Sequence, residues 1–392
     1  MPPEQRPCPI CDARDARAVV RQSFEWLQGS LMDGYDVVCC GTCGLAYASG
    51  LPSAEEFLHY YTTMSRYESA TSYFKTPEDH ARCESIVDLV DPLLDGRDIA
   101  VLDVGCSTGA LLAAFKRRGY SNVQGLDPSE GCAVYARETY DITVLTGTAA
   151  DVATLPRHYD LIILSAVLEH LLDPRQALRD AWEALTPEGM LFVEVPDLEG
   201  FADCARAPFQ EFSVEHINFF SSASLENLMG TTAFDPVIVE RRLIPWLSNA
   251  VGPAVHAVFR KASEARPPAL DSGSEVAVRS YVAACERIEA GVRERIGELA
   301  DRGQPVLVWG VGTHTRHLLK NGALDRLDVA AWVDSDPKYQ GTEMRGVPVL
   351  APADIATRDE PILISSGYVH HEIARQIHED LGAGNEVVLL YD

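Results

Sequence analysis

The chain reads as an α/β protein of three parts: a small four-cysteine metal module, a first α/β domain and a second α/β domain at the C-terminal end. Three observations predict this. Two CxxC pairs stand near the start, as Cys8-Pro-Ile-Cys11 and Cys40-Gly-Thr-Cys43. Two stretches, 99–112 and 306–317, run from an apolar strand through a small-residue turn into a helix, and each is followed by an apolar strand ending in an acid, Asp127 or Asp334. Around both, short apolar runs alternate with amphipathic stretches, the pattern of a parallel sheet covered by helices. The 392 residues suit two or three domains. A hydrophobic content of 46% supplies real cores and excludes wholesale disorder.

Residues 1–52 are the metal module. Five of the ten cysteines fall in the first 43 residues, and the two CxxC pairs are about 28 residues apart. Each pair closes a tight turn whose amides face the sulfurs, and Gly44 permits the turn after the second. Four thiolates with no open position suit a structural zinc ion, bound by Cys8, Cys11, Cys40 and Cys43. Cys39 is left out because Cys40 keeps the spacing. No basic, apolar leader opens the chain and no run of 18 apolar residues occurs, so neither secretion nor a membrane span is expected. A cytoplasmic location follows as the expectation, with cysteines serving metal rather than disulfides. The net charge of −25 argues against nucleic acid or an anionic membrane as partner.

Residues 53–240 hold the first α/β domain behind a helical, aromatic lead-in with Phe57, Tyr60, Tyr61 and Tyr67. Its main signal is the strand and turn Val101-Leu-Asp103-Val-Gly105-Cys-Ser107-Thr-Gly109. Glycines at 105 and 109 let the backbone approach a ligand, and the following helix offers unpaired N–H groups. Asp127, ending the next strand, is placed to accept both ribose hydroxyls of a nucleoside. Tyr159 to Ser165 is a buried strand that leads into Glu169-His170, and Leu185 to Pro196 spans a helix end, a turn and the next strand.

DVGCSTG, LDPS, YDLIILSAVLEH and LTPEGMLFVEVP, in this order, resemble the motifs of class I S-adenosylmethionine-dependent methyltransferases with a Rossmann-like core. The resemblance implies that Asp103, Gly105, Ser107 and Gly109 surround the methionine part of S-adenosyl-L-methionine, and that Asp127 holds its ribose. Ala150 and Asp151 take the adenine-contact position, and Glu169-His170 sits beside the cofactor. The three-part layout resembles the zinc-binding nucleotide-sugar C-methyltransferases, which act on nucleotide-linked ketosugars. Their Glu-His pair matches Glu215-His216 in EFSVEHINFFS, although Ser213 stands where they carry a tyrosine. Tyr67 resembles the aromatic that packs near their methyl donor.

The chemistry asks for a base that removes an α-proton, so that an enolate attacks the methyl. His216 is assigned as that base and Glu215 as its assistant. Residues 241–300 read as a linker, ARPPALDSGSE, and a long amphipathic helix; residues 301–392 form the second Rossmann-like domain. There Thr313, His314, Thr315 and Arg316, at a Gly-x-Gly turn, are expected to meet the diphosphate of a nucleotide sugar, the small-molecule partner. Other readings stay open: O- or N-methylation of another metabolite, a non-catalytic S-adenosylmethionine-binding module, and an NAD dehydrogenase, for which Thr315 replaces the expected third glycine.

Overall fold

The computed structural model describes residues 6–27, 30–63, 76–245 and 251–391. The chain divides into two compact units, one of Met1–Val20, Asp36–Cys204 and Glu215–Arg279, the other of Arg21–Tyr35, Ala205–Val214 and Ser280–Asp392.

The four-cysteine segment contributes β1 (Arg17–Ser23), β2 (Gly34–Cys39) and β3 (Ala46–Ser49). After α1 (Ala54–Thr63) comes α2 (Pro77–Val90), where Thr76 and Asp79 form a reciprocal cap and Pro77 opens the first turn. The α/β core then runs through β4 (Val101–Val104), α3 (Ala110–Arg117), β5 (Val123–Asp127), α4 (Glu130–Tyr140), β6 (Thr143–Thr146), β7 (Tyr159–Ser165), α5 (Pro174–Ala184) and β8 (Leu185–Pro196). The unit is completed by α6 (Phe201–Cys204), β9 (Asn218–Phe219), α7 (Ser222–Thr231), β10 (Phe234–Pro245) and β11 (Val251–Lys261).

The large sheet has the order β10-β11-β8-β7-β4-β5-β6. Strands β6, β5, β4, β7 and β8 are parallel, and β11 lies antiparallel between β8 and β10. Side chains divide by alternation. Leu161 and Ile163 of β7 pack with Val87 and Phe115 of the helices on one face; Ile162 and Leu164 pack with Leu178 on the other. Cys8, Ile10, Cys43 and Tyr47 belong to that second core, so the four-cysteine segment is packed into the domain rather than appended to it.

Two expectations change here. The sheet does not end near residue 240, because β11 is its sixth member in spatial order from β6. Its run Ala254–Phe259 is buried throughout, as a strand covered on both faces must be, so it carries no polar alternation to mark it. ARPPALDSGSE is also no loose linker. The amide of Asp271 donates to the Cys43 carbonyl (3.0 Å), and its carboxylate accepts from Ser221 (2.5 Å) and Ser274 (2.6 Å).

Chain reversal fixes the ligand position. From β4 the chain steps outward to β5 and β6, then returns to the other side of β4 as β7. The switch point therefore lies beyond the carboxyl ends of β4 and β7, where open α/β sheets bind ligands.

The second unit begins its sheet after the long helix α8 (Gly273–Ala300). Its elements are β12 (Val306–Trp309), α9 (Thr313–Lys320), β13 (Val329–Val333), β14 (Glu343–Met344), β15 (Val347–Leu350), β16 (Ile362–Ile364), α10 (His370–Arg375) and β17 (Val387–Leu389). They are ordered β14-β15-β13-β12-β16-β17, parallel but for β14. Val306 and Val308 face Val292, Ile296 and Leu299 of α8, while Leu307 and Trp309 face Ile355 and Ile377. Among the described residues no helix is long and apolar enough to cross a membrane.

Candidate active site

The turn after β4 is built around left-handed backbone. Gly105 (φ +74), Ser107 (φ +48) and Gly109 (φ +79) all take positive φ, and Gly109 caps α3. A Cβ at 105 would meet Val167 Cγ2 at 2.8 Å, so an unsubstituted backbone is required there. Cys106 is buried, and its Sγ fills the space a Cβ on Gly125 would need, at 2.4 Å. The amide of Gly105 donates to Leu126 O (2.7 Å), locking the turn to the end of β5.

That end carries Asp127. Its Oδ2 accepts the Ser107 amide (2.8 Å) and its Oδ1 the Ser129 amide (2.9 Å). Burial pushes its carboxyl up from the usual range, and the two amides oppose the shift. Each oxygen keeps a lone pair for a further donor such as a ribose hydroxyl. Asp103 is buried beside it and is pushed well up by burial and by the Asp127 charge. Thr108 Oγ1 is buried and has no hydrogen-bond partner among the described residues, a group waiting for a ligand atom. Ala150 and Asp151 are exposed in a 3₁₀ turn after β6, where Asp151 caps Thr148. These residues together fit a nucleoside with a short charged extension.

Across the switch point, β7 ends at Ser165 and Ala166 turns left-handed (φ +56), a strained geometry for a side-chain-bearing residue. The 3₁₀ turn Leu168–His170 follows and is clipped to the segment 215–218. Asn218 Nδ2 donates to the carbonyls of Leu168 and Leu171, each at 2.8 Å, and the Ile217 amide donates to Glu169 O at 2.8 Å. Two Glu-His pairs distant in sequence thus meet. The His170 and His216 rings stand edge to face with centroids 5.0 Å apart, and His170 Nδ1 lies 3.0 Å from the Glu215 carbonyl. Glu169 and Glu215 are buried, and His170 and His216 are half-buried. Burial pushes the Glu169 carboxyl up to about 8.

Groups that the sequence did not single out hold this arrangement. Tyr60 of α1 donates to Glu215 Oε1 at 2.8 Å. The Arg6 guanidinium donates to the carbonyls of Leu171 (3.2 Å), Leu172 (2.6 Å) and Ile217 (3.2 Å), joining both halves of the clip. Behind β7, Glu194 binds Arg82, His256 (2.5 Å) and Ser165 (3.0 Å) in a buried network. Arg82 and His256 hold the Glu194 carboxyl far below the usual range against its burial. No spacing rule links these residues, which are up to 211 positions apart. Tyr67 lies outside the described residues.

Cys8, Cys11, Cys40 and Cys43 place their Sγ atoms within 4.8 Å of one another. The close pairs run between the two CxxC turns, Cys8–Cys43 and Cys11–Cys40, both at 3.5 Å. Thiolates around one tetrahedral ion at about 2.3 Å stand roughly 3.8 Å apart, so small movements suffice. The Cys43 amide donates to Cys40 Sγ (3.4 Å), and β3 pairs with β9, which begins two residues after His216. Cys39 is buried outside the cluster.

In the second unit Asp334 repeats the Asp127 frame. It accepts the amides of Val311 and Asp336, both at 2.8 Å. The expectation for Thr313, His314, Thr315 and Arg316 needs correction. Arg316 is buried and donates to the carbonyls of Glu25 (2.7 Å) and Met32 (3.4 Å). Thr315 donates to Ser365 Oγ (2.8 Å), and His314 sits between Ser365 Oγ and the Tyr391 hydroxyl. Buried side chains at the start of α9 satisfy their own unit, and of the four only Thr313 is half-buried.

Parts of the chain are similar to known proteins. Residues 79–238 match a family described as a methyltransferase domain, and residues 303–388 match one described as C2185-like, N-terminal. The C-methyltransferase NovU of Streptomyces niveus is 26% identical over 376 residues, covering 89% of this chain and 86% of that protein. A ubiquinone biosynthesis O-methyltransferase of Neisseria meningitidis serogroup C is 32% identical over 113 residues, 27% of this chain and 48% of its own length. Among solved structures, the 1,6-didemethyltoxoflavin-N1-methyltransferase of Burkholderia thailandensis, with bound S-adenosylhomocysteine, has a TM-score of 0.42 at 20% identity, covering 56% of this chain and 96% of that one.

Proposed function

The chain is an S-adenosylmethionine-dependent methyltransferase of the class I fold, and we propose that it methylates carbon in a nucleotide-linked ketosugar. The observation that carries this reading is the meeting of Glu215-His216 with Glu169-His170 at the switch point, beside the glycine turn. Likeness to a C-methyltransferase along 89% of the chain supports carbon as the acceptor.

The cofactor, when bound, supplies a methyl group on a sulfonium, an electrophile that needs no metal. In this reading the turn 105–109 and Asp103 take its methionine part, Asp127 its ribose, and Ala150 and Asp151 its adenine. Glu169 and His170 border it. The chain's own task is then to make a carbon nucleophile. His216 takes the proton from the carbon next to the ketone, which leaves an enolate as the nucleophile for the methyl that the cofactor would supply. Glu215, held by Tyr60, assists by orienting the imidazole and offsetting the charge it gains. Held by the Glu215 carbonyl, His170 keeps the two pairs in register.

The four-cysteine cluster is proposed to hold one zinc ion with a structural role. It anchors β3, onto which β9 pairs, and so sets the strand that follows His216. In the second unit, Thr313 and the amides opening α9 are proposed to receive the diphosphate.

The test uses a panel of nucleotide ketosugars in deuterium oxide. The reading expects α-proton exchange without cofactor, and a new carbon-bound methyl by NMR when S-adenosylmethionine is added. His216→Asn should abolish exchange while leaving cofactor affinity in place. A methyl found on oxygen or nitrogen, or exchange that survives His216→Asn, rejects the assignment.

A further inference from the structure

Glu169 lies in the 3₁₀ turn that follows β7. Its side chain is almost wholly inaccessible, with the residue 1% exposed. Its Oε2 has no hydrogen-bond partner among the described residues. A carboxylate taken out of water without a partner is costly, so such a group calls for a cation or a proton. Arg82, the buried guanidinium nearby, is engaged by Glu194.

Two imidazoles face the same spot. His170 Nε2 stands 3.9 Å from Glu169 Oε1. Its other nitrogen, Nδ1, lies 3.0 Å from the Glu215 carbonyl, an acceptor to which it can donate, and Nε2 is the nitrogen turned towards Glu169. A ring N–H held by a backbone carbonyl, with the opposite nitrogen turned to the ion, is the arrangement that orients metal-binding histidines. His216 completes the set: one ligand atom from each of Glu169, His170 and His216 lies within 4.8 Å of the others. Donors on one tetrahedral ion at about 2.1 Å stand roughly 3.4 Å apart. Modest side-chain rotation closes that gap.

We infer that Glu169, His170 and His216 form a second metal site, separate from the four cysteines, for a first-row divalent ion such as zinc, and that its occupation silences the enzyme. Two imidazoles and one carboxylate make a donor set that such ions prefer to magnesium or calcium, and three ligands leave a position open to water. The ion ties up the lone pair with which His216 would accept a proton, so a loaded site cannot start the reaction. This second limb rests on the reading of His216 as base; the binding itself does not.

The test counts ions in the full chain. After equilibration with micromolar zinc and removal of free metal, wild type should hold about two zinc ions per chain, and Glu169→Gln and His216→Asn about one each. A single cooperative thermal transition in both variants shows that they are folded, and zinc should raise the melting temperature of wild type more than theirs. About one ion in wild type, or a second ion retained by both variants, overturns the site. For the second limb, α-proton exchange should fall in step with the second ion and return on mild chelation. A second ion that binds while exchange continues overturns the silencing and, with it, His216 as base, yet leaves the metal site standing.

Discussion

Asp127→Asn separates the cofactor frame from the rest of the fold. The carboxylate accepts one backbone amide on each oxygen, from Ser107 at 2.8 Å and Ser129 at 2.9 Å. Asparagine is the same size but has one oxygen. Its NH₂ must then face one of those N–H groups, leaving that amide unsatisfied, and presents a donor to one ribose hydroxyl. A hydrogen bond to a charged acceptor is worth about 1.5–3 kcal/mol, so losing one on the ligand side weakens binding roughly 10- to 100-fold. Asp334→Asn is the internal control. It sits in the same frame, with the amides of Val311 and Asp336 at 2.8 Å, in the other unit. Both substitutions should lower stability by a similar amount, about 1–3 kcal/mol for the stranded amide. Only Asp127→Asn should weaken S-adenosylhomocysteine in isothermal titration. An affinity for Asp127→Asn within about twofold of wild type, or an equal loss in Asp334→Asn, refutes the assignment of Asp127 to the ribose.

Three further outcomes follow from named contacts. Glu194→Gln strands the buried Arg82 charge and should cost about 3–5 kcal/mol at neutral pH in chemical denaturation. Glu194 has its carboxyl lowered in the fold, so its contribution is complete above the ordinary value of 4.5 and is lost as pH falls towards the depressed one. The gap between wild type and Glu194→Gln should therefore shrink below pH 4.5, and a gap constant with pH would contradict the network. Arg6→Met removes the carbonyl contacts that join both halves of the clip. α-Proton exchange should fall at least tenfold with cofactor affinity kept, and a parallel loss of both would show Arg6 to be merely structural. Gly44→Ala places a Cβ 1.9 Å from the Asp271 carbonyl at φ +83, which the turn after Cys43 cannot absorb. Under the proposed zinc assignment the variant should hold less zinc than wild type by metal analysis, and equal content would show that the strap at Asp271 yields.

How much of this was legible depends on how local the signal is. The cofactor turn is a strand, two glycines and a helix in one stretch, and Asp127 follows on the next strand. Each part is visible because neighbours in sequence are neighbours in space. The thiol cluster is legible for a related reason, since CxxC fixes each half of the geometry before the fold brings the halves together. Tyr60 and Arg6 gave no such signal. Their partners, Glu215 for one and the carbonyls at 171, 172 and 217 for the other, are set by tertiary packing alone. Arg316 shows the opposite failure. At the start of a helix after a glycine turn, an arginine has the look of a phosphate ligand, yet burial against the carbonyls of Glu25 and Met32 uses its donors. The boundary drawn at 240 missed because β11, a further strand of that sheet, is buried on both faces. Glu169 was legible as a position but not in its burial, which decides what it can bind.

The central claim is that His216, set by the clip between 168–171 and 215–218, creates a carbon nucleophile. The measurement closest to it follows the α-proton of a nucleotide ketosugar in deuterium oxide, first with the protein alone and then with ¹³C-methyl S-adenosylmethionine. The account predicts exchange in wild type, none in His216→Asn, and a ¹³C methyl bonded to the carbon that had exchanged. Methyl transfer to carbon with the same rate in His216→Asn, or a methyl attached to oxygen, would contradict it.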